Sequence, residues 1–414
     1  MNSHTQPMNK EFVGLPNIMH TFIGDCVQQA VEVVRSTLGM DGGFVAELTD
    51  KIPFIRQTST KAERSPIKAD DWIALAEGYC GKIVEGRLPE LIPDTAAVPE
   101  AMAIPVTREA PIGSHLGVPL RLRDGQIYGT FCCFNFLANA SLNERDLQMM
   151  KVVADVIACQ IGVDLERLRS QADKARRIQA VLRSSEEPSI VYQPVFQLSD
   201  MTVVGAEALA RFPDAPQRSP DKWFIEAGEV GLKTQLEIKA AHSALARYRS
   251  LWKRGPLHYL GINSSPQTIT EGRMLDIIDG FPAEKIILEI TEQDHVENYD
   301  DFSHALVPLR LRGVKIAIDD AGSGYSSMRH ILNIRPDFIK LDISLTRSIH
   351  TDRSRRALAR ALVEFGRETD CQIIAEGVET EDEMKILRDL GVHAAQGWLL
   401  SRPVTIEELW RVVF

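Results

Sequence analysis

Val314-Lys315-Ile316-Ala317-Ile318-Asp319-Asp320-Ala321-Gly322-Ser323-Gly324-Tyr325-Ser326-Ser327 begins as a short run of β-branched and apolar residues and ends as a glycine-spaced polar loop. The run suits a strand buried on both faces. Asp319 and Asp320 then fall where the strand leaves the core, and Gly322 and Gly324 permit a sharp turn after them. Neighbouring carboxylates repel, and both ionise cheaply only with a cation between them. The pair fits a metal site, and it equally fits a solvated loop punctuated by acids.

Moving outward, the same theme repeats from Ser189 onward: a short apolar run ends in a polar residue and a helical segment follows. The run 201–206 ends at Glu207, 257–262 at Asn263, 285–288 at Glu289 and 314–318 at Asp319. Further on, 337–339 ends at Lys340, 372–375 at Glu376 and 392–395 at Gln396. Thr380-x-x-Glu383 and Thr405-x-x-Glu408 are capping boxes, and Gly255 and Gly391 stand where helices stop. Such alternation predicts parallel strands with helical crossovers. An open sheet brings together only the strand ends at its switch point, whereas a closed barrel brings all of them to one mouth. Polar groups at seven successive strand ends, over about 230 residues, therefore favour a (βα)8 TIM-like barrel.

Glu207, Asn263, Glu289, Asp319, Asp320 and Glu376 are hard oxygen ligands suited to Mg²⁺ or Mn²⁺. Without metal, their clustered charge would raise carboxyl pKa values. Two divalent ions about 3.5–4 Å apart would clamp an attacking hydroxide and a phosphodiester oxygen. Lys340, the one cation of the set, could orient the water or meet charge gathering on phosphate. Chemistry alone thus reaches metal-dependent attack on a phosphate ester.

Glu207-Ala208-Leu209, within Val-Val-Gly-Ala-Glu-Ala-Leu-Ala-Arg, resembles the motif that names the EAL-domain cyclic-di-GMP phosphodiesterases. The resemblance spans residues 185–414. Tyr192-Gln193-Pro194, Asn263-Ser264-Ser265-Pro266, Leu288-Glu289-Ile290-Thr291-Glu292, Asp319-Asp320-Ala321-Gly322, Ile339-Lys340-Leu341-Asp342, Glu376-Gly377-Val378-Glu379 and Gln396-Gly397 follow in the family's order. It implies that Glu207, Asn263, Glu289, Asp319, Asp320 and Glu376 hold two Mg²⁺ or Mn²⁺ ions, with Lys340 on the catalytic water and Gln396 supporting the water network. It further implies that Arg211 grips a substrate phosphate and that Gln193 and Leu209 line the nucleotide site. Glu292 would anchor the loop 322–327, which the family uses to couple dimerisation to metal binding. The family commonly has an aromatic where this chain has Ala321, a trimming that could loosen the loop and make activity more dependent on regulation. The implied activity is hydrolysis of cyclic-di-GMP to linear 5′-pGpG; the alternative is a non-catalytic cyclic-di-GMP receptor, a class that usually lacks some of these ligands.

Ahead of the barrel, residues 1–18 read as a polar, flexible tail, and Met19, Phe22, Ile23, Cys26, Val27, Ala30, Val31 and Val34 then follow helical spacing. Gly42-Gly43 opens a strand at 44–48, 52–58 alternates as a second, and Trp72, Leu75, Ala76, Cys80 and Ile83 return to a helical stripe. Arg123-Asp124-Gly125 between apolar runs is a hairpin signal, because Asp-Gly accepts positive φ. This α+β order, with Gly117-Val-Pro-Leu and Asp124-Gly-x-x-Tyr-Gly-Thr-Phe131, resembles a GAF domain over residues 19–168. The resemblance implies a sensory role with an unidentified small-molecule ligand, or dimerisation. Cys132-Cys133 reads as core, and the absence of a Cys-His pair argues against a covalent bilin. Ser141-x-x-Glu144 is a capping box opening a helix that continues through a linker, 169–184, to about Ser184. Such a helix extends on the order of 60 Å. Its seam of Ile157, Ile161, Leu165 and Leu168 predicts either a dimeric linker or a helix folded back on the first domain.

At 414 residues the chain is long enough for two or three domains. A formal charge of -10 argues against general nucleic-acid binding. No apolar run approaches the roughly 20 residues of a membrane span. The opening lacks the organisation of a secretory signal, and six scattered cysteines suit reduced thiols. The expectation is a cytoplasmic homodimer.

Overall fold

We describe the protein from a computed structural model that covers residues 16–48, 53–60, 78–186, 188–212, 218–253, 259–291, 296–322 and 326–413. The chain divides into two compact units, Met1–Ser170 and Gln171–Phe414.

The first unit is built on an antiparallel sheet of β1 (Gly42–Leu48), β2 (Pro53–Thr60), β3 (Leu91–Ile92), β4 (Ser114–Arg121) and β5 (Ile127–Asn135), in the order β2-β1-β5-β4-β3. Gly125, in the β4–β5 turn, has φ +84, as the Asp-Gly signal predicts. Period-two alternation divides the sheet into two faces. Val45, Val118, Phe131 and Cys133 pack with Val27 and Val31 of the helix Pro16–Thr37 and Ala154 and Ile157 of the helix Glu144–Arg183. Phe44, Ala46, Cys132 and Phe134 pack on the other face with Tyr79, Cys80 and Ile83 of the helix Tyr79–Val84. Trp72, Leu75 and Ala76 of the expected stripe lie outside the described residues.

The 40-residue helix Glu144–Arg183 is as long as its sequence predicts, but its cap differs. Asn143 takes that role: its Oδ1 accepts from Arg145 N (2.9 Å), while Asp146 Oδ2 accepts from Asn143 N (3.1 Å). Ser141 instead donates to Asn139. Two boxes overlap in this sequence, and the one nearer the apolar stripe wins. Ile157 and Ile161 of the seam are buried in the first unit's own core, with Leu165 against it, while Leu168 is half-buried outside that cluster. Val152, Val156 and Val163 are exposed.

The second unit is a closed eight-stranded barrel. Its strands are β6 (Ser189–Gln197), β7 (Val203–Arg211), β8 (Tyr259–Asn263), β9 (Ile286–Thr291), β10 (Lys315–Ala321), β11 (Phe338–Leu341), β12 (Gln372–Ala375) and β13 (Ala394–Ala395). They run round the barrel in chain order, and β13 closes on β6. Alternate residues such as Leu288, Ile316, Ile318, Ile339 and Ile373 are buried in the main core. Both expected boxes form, Thr380 with Glu383 and Thr405 with Glu408.

One departure from a uniform barrel is β6, which runs antiparallel to both neighbours. No helix separates it from β7. The connection is a tight turn in which Asp200 accepts from Thr202 N and Met201 has φ +62. Two consequences follow. Glu207 lies in mid-strand rather than at a strand end, because pairing with β6 extends β7 to Arg211. Ser189, where β6 begins, pairs with Arg211, where β7 ends. Just before it, Ile178 and Val181 of the long helix pack with Trp223, Ala227 and Leu236. Lys239 Nζ donates to the carbonyls of Val181 (2.9 Å), Leu182 (3.2 Å) and Ser184 (2.6 Å), satisfying acceptors left open at the helix end. Among the described residues no helix is long and apolar enough to cross a membrane.

Candidate active site

The barrel strands converge on Lys340, whose side chain rises from β11 and is 2% exposed. Its Nζ lies 3.1 Å from Glu207 Oε2, 2.7 Å from Glu289 Oε2, 3.1 Å from Asp319 Oδ1 and 2.8 Å from Glu376 Oε1. These four acids come from β7, β9, β10 and the segment just after β12. Gln396 Nε2 donates to Glu207 Oε2 and Glu376 Oε1, each at 2.7 Å, and Asn263 Nδ2 donates to Glu207 Oε1 at 3.3 Å.

Asp319 and Asp320 pose a geometric problem, since adjacent strand residues point to opposite faces. The backbone solves it with a left-handed residue. Asp320 has φ +57, and the β10–β11 register shifts between Ile318 and Ala321. Both carboxylates then reach one cluster, in which ligand atoms of Asp319, Asp320 and Glu376 lie within 4.8 Å of one another. Glu207, Glu289 and Asp319 form a second such group. Asp319 belongs to both. Gly322, at φ +106, supplies the turn that follows, and Ala321 is buried against the core.

Five acids against one lysine leave excess negative charge in a buried place. Burial pushes Glu289 up to about 8, and the charges of Glu207 and Asp319 add to this against the pull of Lys340. Burial, Asp319 and Asp342 push Asp320 up to about 6. Glu376 and Asp319 are also raised, chiefly by burial. Glu207 goes the other way: burial is outweighed by Lys340 and by the donors Gln396 and Asn263. Lys340 resists burial because four carboxylates hold its ammonium well above the usual value. Carboxylates plus an amide oxygen suit hard divalent cations. The two overlapping three-acid groups and the buried, unpartnered Gln396 Oε1 fit that set and its hydration.

Two recesses flank the cluster and share Glu207, Leu209, Asp319 and Asp320. The larger, about 790 Å³, extends past Arg211, Phe224 and Ile225. The smaller, about 520 Å³, extends past Gln193, Glu376, Arg347 and Trp398. The sequence-nominated residues except Glu292 thus meet at this mouth, with Glu289 and Lys340 in the cluster beneath the recesses. Glu292 and residues 323–325 of the loop it was expected to anchor lie outside the described residues. The sequence reading missed Trp398, exposed at the rim two residues after Gln396. It also missed Glu237, a buried carboxylate that accepts from Ser265 N (3.0 Å), Ser265 Oγ (2.9 Å) and Thr268 Oγ1 (2.6 Å) and so fixes the turn after Asn263. An acid on the apolar face of a helical stripe was the available signal for Glu237.

The geometry agrees with comparisons to known proteins. The family model for the EAL domain matches residues 175–403, more than half of the chain, and that for the GAF domain matches residues 23–161. "Probable cyclic di-GMP phosphodiesterase PdeD" of Escherichia coli (strain K12) is 29% identical over 232 residues, 54% of this chain and 43% of the relative. "Probable cyclic di-GMP phosphodiesterase PdeI" of the same organism is 32% identical over 226 residues, 52% of this chain and 29% of the relative. The chain therefore spans less than half the length of either. A solved structure described as "PaMucR Phosphodiesterase, c-di-GMP complex" is 28% identical with a TM-score of 0.51, covering 57% of this chain and 99% of that one. On the family match and the closed barrel together, the chain belongs to the EAL-domain family and carries a GAF domain ahead of its barrel.

Proposed function

We propose that the protein is a cytoplasmic, divalent-metal-dependent phosphodiesterase that hydrolyses cyclic-di-GMP to linear 5′-pGpG, with residues 185–414 as the enzyme and the GAF-like region 19–168 as its regulator. The observation that carries this is the pair of three-acid groups sharing Asp319, set between two recesses. A two-lobed cyclic dinucleotide would place its scissile phosphate over the acids and one nucleotide in each recess. The names of the relatives support the choice of substrate.

Glu207, Asn263, Glu289, Asp319, Asp320 and Glu376 would hold two Mg²⁺ or Mn²⁺ ions, which supply charge neutralisation at phosphate and an acidified water when bound. Lys340, fixed by four acids, keeps its charge at neutral pH and presents N–H donors to the attacking water or the phosphate. Gln396 holds Glu207 and Glu376 through its amide NH2 and leaves Oε1 to accept from water. Arg211, half-buried in the larger recess, meets phosphate charge, while Gln193 and Leu209 line the nucleotide. Formation of 5′-pGpG requires the P–O3′ bond to break as water oxygen joins phosphorus. Glu292 is proposed to anchor the loop after Gly322. A homodimer is expected, and light scattering in dilute solution checks it: a monomer with full activity would overturn the coupling of dimerisation to the site.

Incubating purified protein with cyclic-di-GMP and Mn²⁺ or Mg²⁺, with Glu207→Ala alongside, tests the reading. Linear pGpG from the wild type alone is expected. Substrate binding without product, also after deletion of 1–168, would place the chain among receptors.

A further inference from the structure

Strand alternation determines what lies directly beneath the acids. Two positions behind Glu207, Asn263, Asp319 and Gln396, on the same side of each strand, stand Gly205, Gly261, Ala317 and Ala394. Behind Glu289, Lys340 and Glu376 stand Ile287, Phe338 and Ile374. Bulky branched side chains normally fill this level of an eight-stranded barrel. Close approach accounts for the glycines: a Cβ at Gly261 would lie 2.1 Å from Glu289 Oε1, and one at Gly205 2.8 Å from the Tyr259 carbonyl oxygen. Ala317 is packed in a buried cluster with Val195, Ile287, Phe338 and Ile374, whereas Gly205, Gly261 and Ala394 line a cavity of about 540 Å³ beneath the site. That is the size of a drug-like ligand pocket.

This chamber is distinct from the two recesses at the mouth. Glu289 and Lys340 line it and line neither recess. Its walls are Ile287, Phe338 and Ile374, and its far end carries exposed Gln197, Gln372, Arg388 and His393. Among the described residues the Arg388 guanidinium is engaged by the Met201 thioether at 3.3 Å, a weak acceptor that leaves N–H groups available. His393 Nδ1 accepts from Ile373 N at 3.0 Å, so Nε2 carries the proton and donates. The rim therefore offers donors and one fixed positive charge; the one acid lining the chamber, Glu289, lies at its opposite end beside Lys340.

We infer that the lower chamber is a second binding site, taking an organic anion whose apolar body fills the barrel below Lys340 and whose acidic head meets Arg388 at the rim. The apolar level selects the body and the rim selects the charge. The fluorescent anion 8-anilinonaphthalene-1-sulfonate has one sulfonate on an aromatic body and is a direct probe. Full-length protein with Mn²⁺ should bind it saturably. Ala394→Phe, which fills the chamber, should abolish that component, and Arg388→Glu, at an exposed position, should weaken it about tenfold, as loss of a charge-assisted contact does. Loss in either variant with an unchanged circular dichroism spectrum supports the site. Unchanged affinity in both, or no saturable binding, overturns it. The readout is binding alone, so this outcome and that of the hydrolase assay are independent.

Discussion

Each unit buries a titratable cluster, and the two are handled in opposite ways. In the barrel, Lys340 and its acids are buried with an abundance of partners, so the ammonium stays charged. In the first unit, His115 is just as buried, stacked on Tyr79 at 4.3 Å, and neither ring nitrogen has a partner among the described residues. Burial drives its pKa down to about 3, leaving a neutral ring. Burial therefore does not mark a reactive site. What differs is the neighbours: those of Lys340 and Glu207 hold the charged form, and His115 has no such neighbours among the described residues.

The contrast is tested most severely by removing the charge at its centre. Lys340→Met should lower turnover on the order of 10²–10³-fold. In metal-free protein it should also cost roughly 3–5 kcal/mol, since breaking a buried pair leaves acids uncompensated. Denaturant titration with and without Mn²⁺ checks this, and a stable metal-free variant would remove the ammonium from its proposed role.

The pH dependence of stability is the next effect. Glu289 and Asp320 are raised in the folded state, to about 8 and about 6. A carboxyl raised by folding contributes stability that is fully present below its ordinary pKa and lost as pH climbs through the folded value. Metal-free protein should therefore lose thermal stability between about pH 4.5 and 8, and Mn²⁺ should restore most at the upper end. A flat melting profile without metal would contradict the charge excess.

Glu237→Gln should raise the Mn²⁺ concentration for half-maximal activity about tenfold, as loss of a group orienting a ligand does, with kcat at saturating metal less affected. Rescue by Glu237→Asp would assign the effect to the carboxylate. Smallest of all should be His115→Phe. Replacing an unpartnered buried polar ring by an apolar one should change stability by no more than about 1 kcal/mol and leave turnover unaltered. A large loss of either would show that His115 has a partner or a task.

The barrel and most of its mouth were legible because Lys340, Glu376 and Gln396 each follow or close a short apolar run near a strand end, and Glu289 follows one although its strand continues to Thr291. The motif around Glu207 added a residue that position alone would have misplaced, since it sits in mid-strand. Less legible was anything decided by backbone sign or tertiary pairing. Nothing in the residue types at 319–321 announces that Asp320 takes a left-handed conformation. The antiparallel run of β6 depends on a two-stranded pairing that apolar alternation cannot orient. The cap of the long helix was open to two overlapping solutions, and Glu237 acts on residues about 30 positions away.

The reversal of β6 carries one more consequence. In a barrel that begins with a parallel strand, the polypeptide arrives at the floor and must climb to the chemistry. Here it arrives at the ceiling: Ser189 enters beside Arg211, on the rim of the larger recess. Lys239, which grips the last carbonyls of the incoming helix, is carried on the same helix, Lys233–Trp252, as Glu237, which grips the turn behind Asn263. The two grips stand two residues apart on one helix.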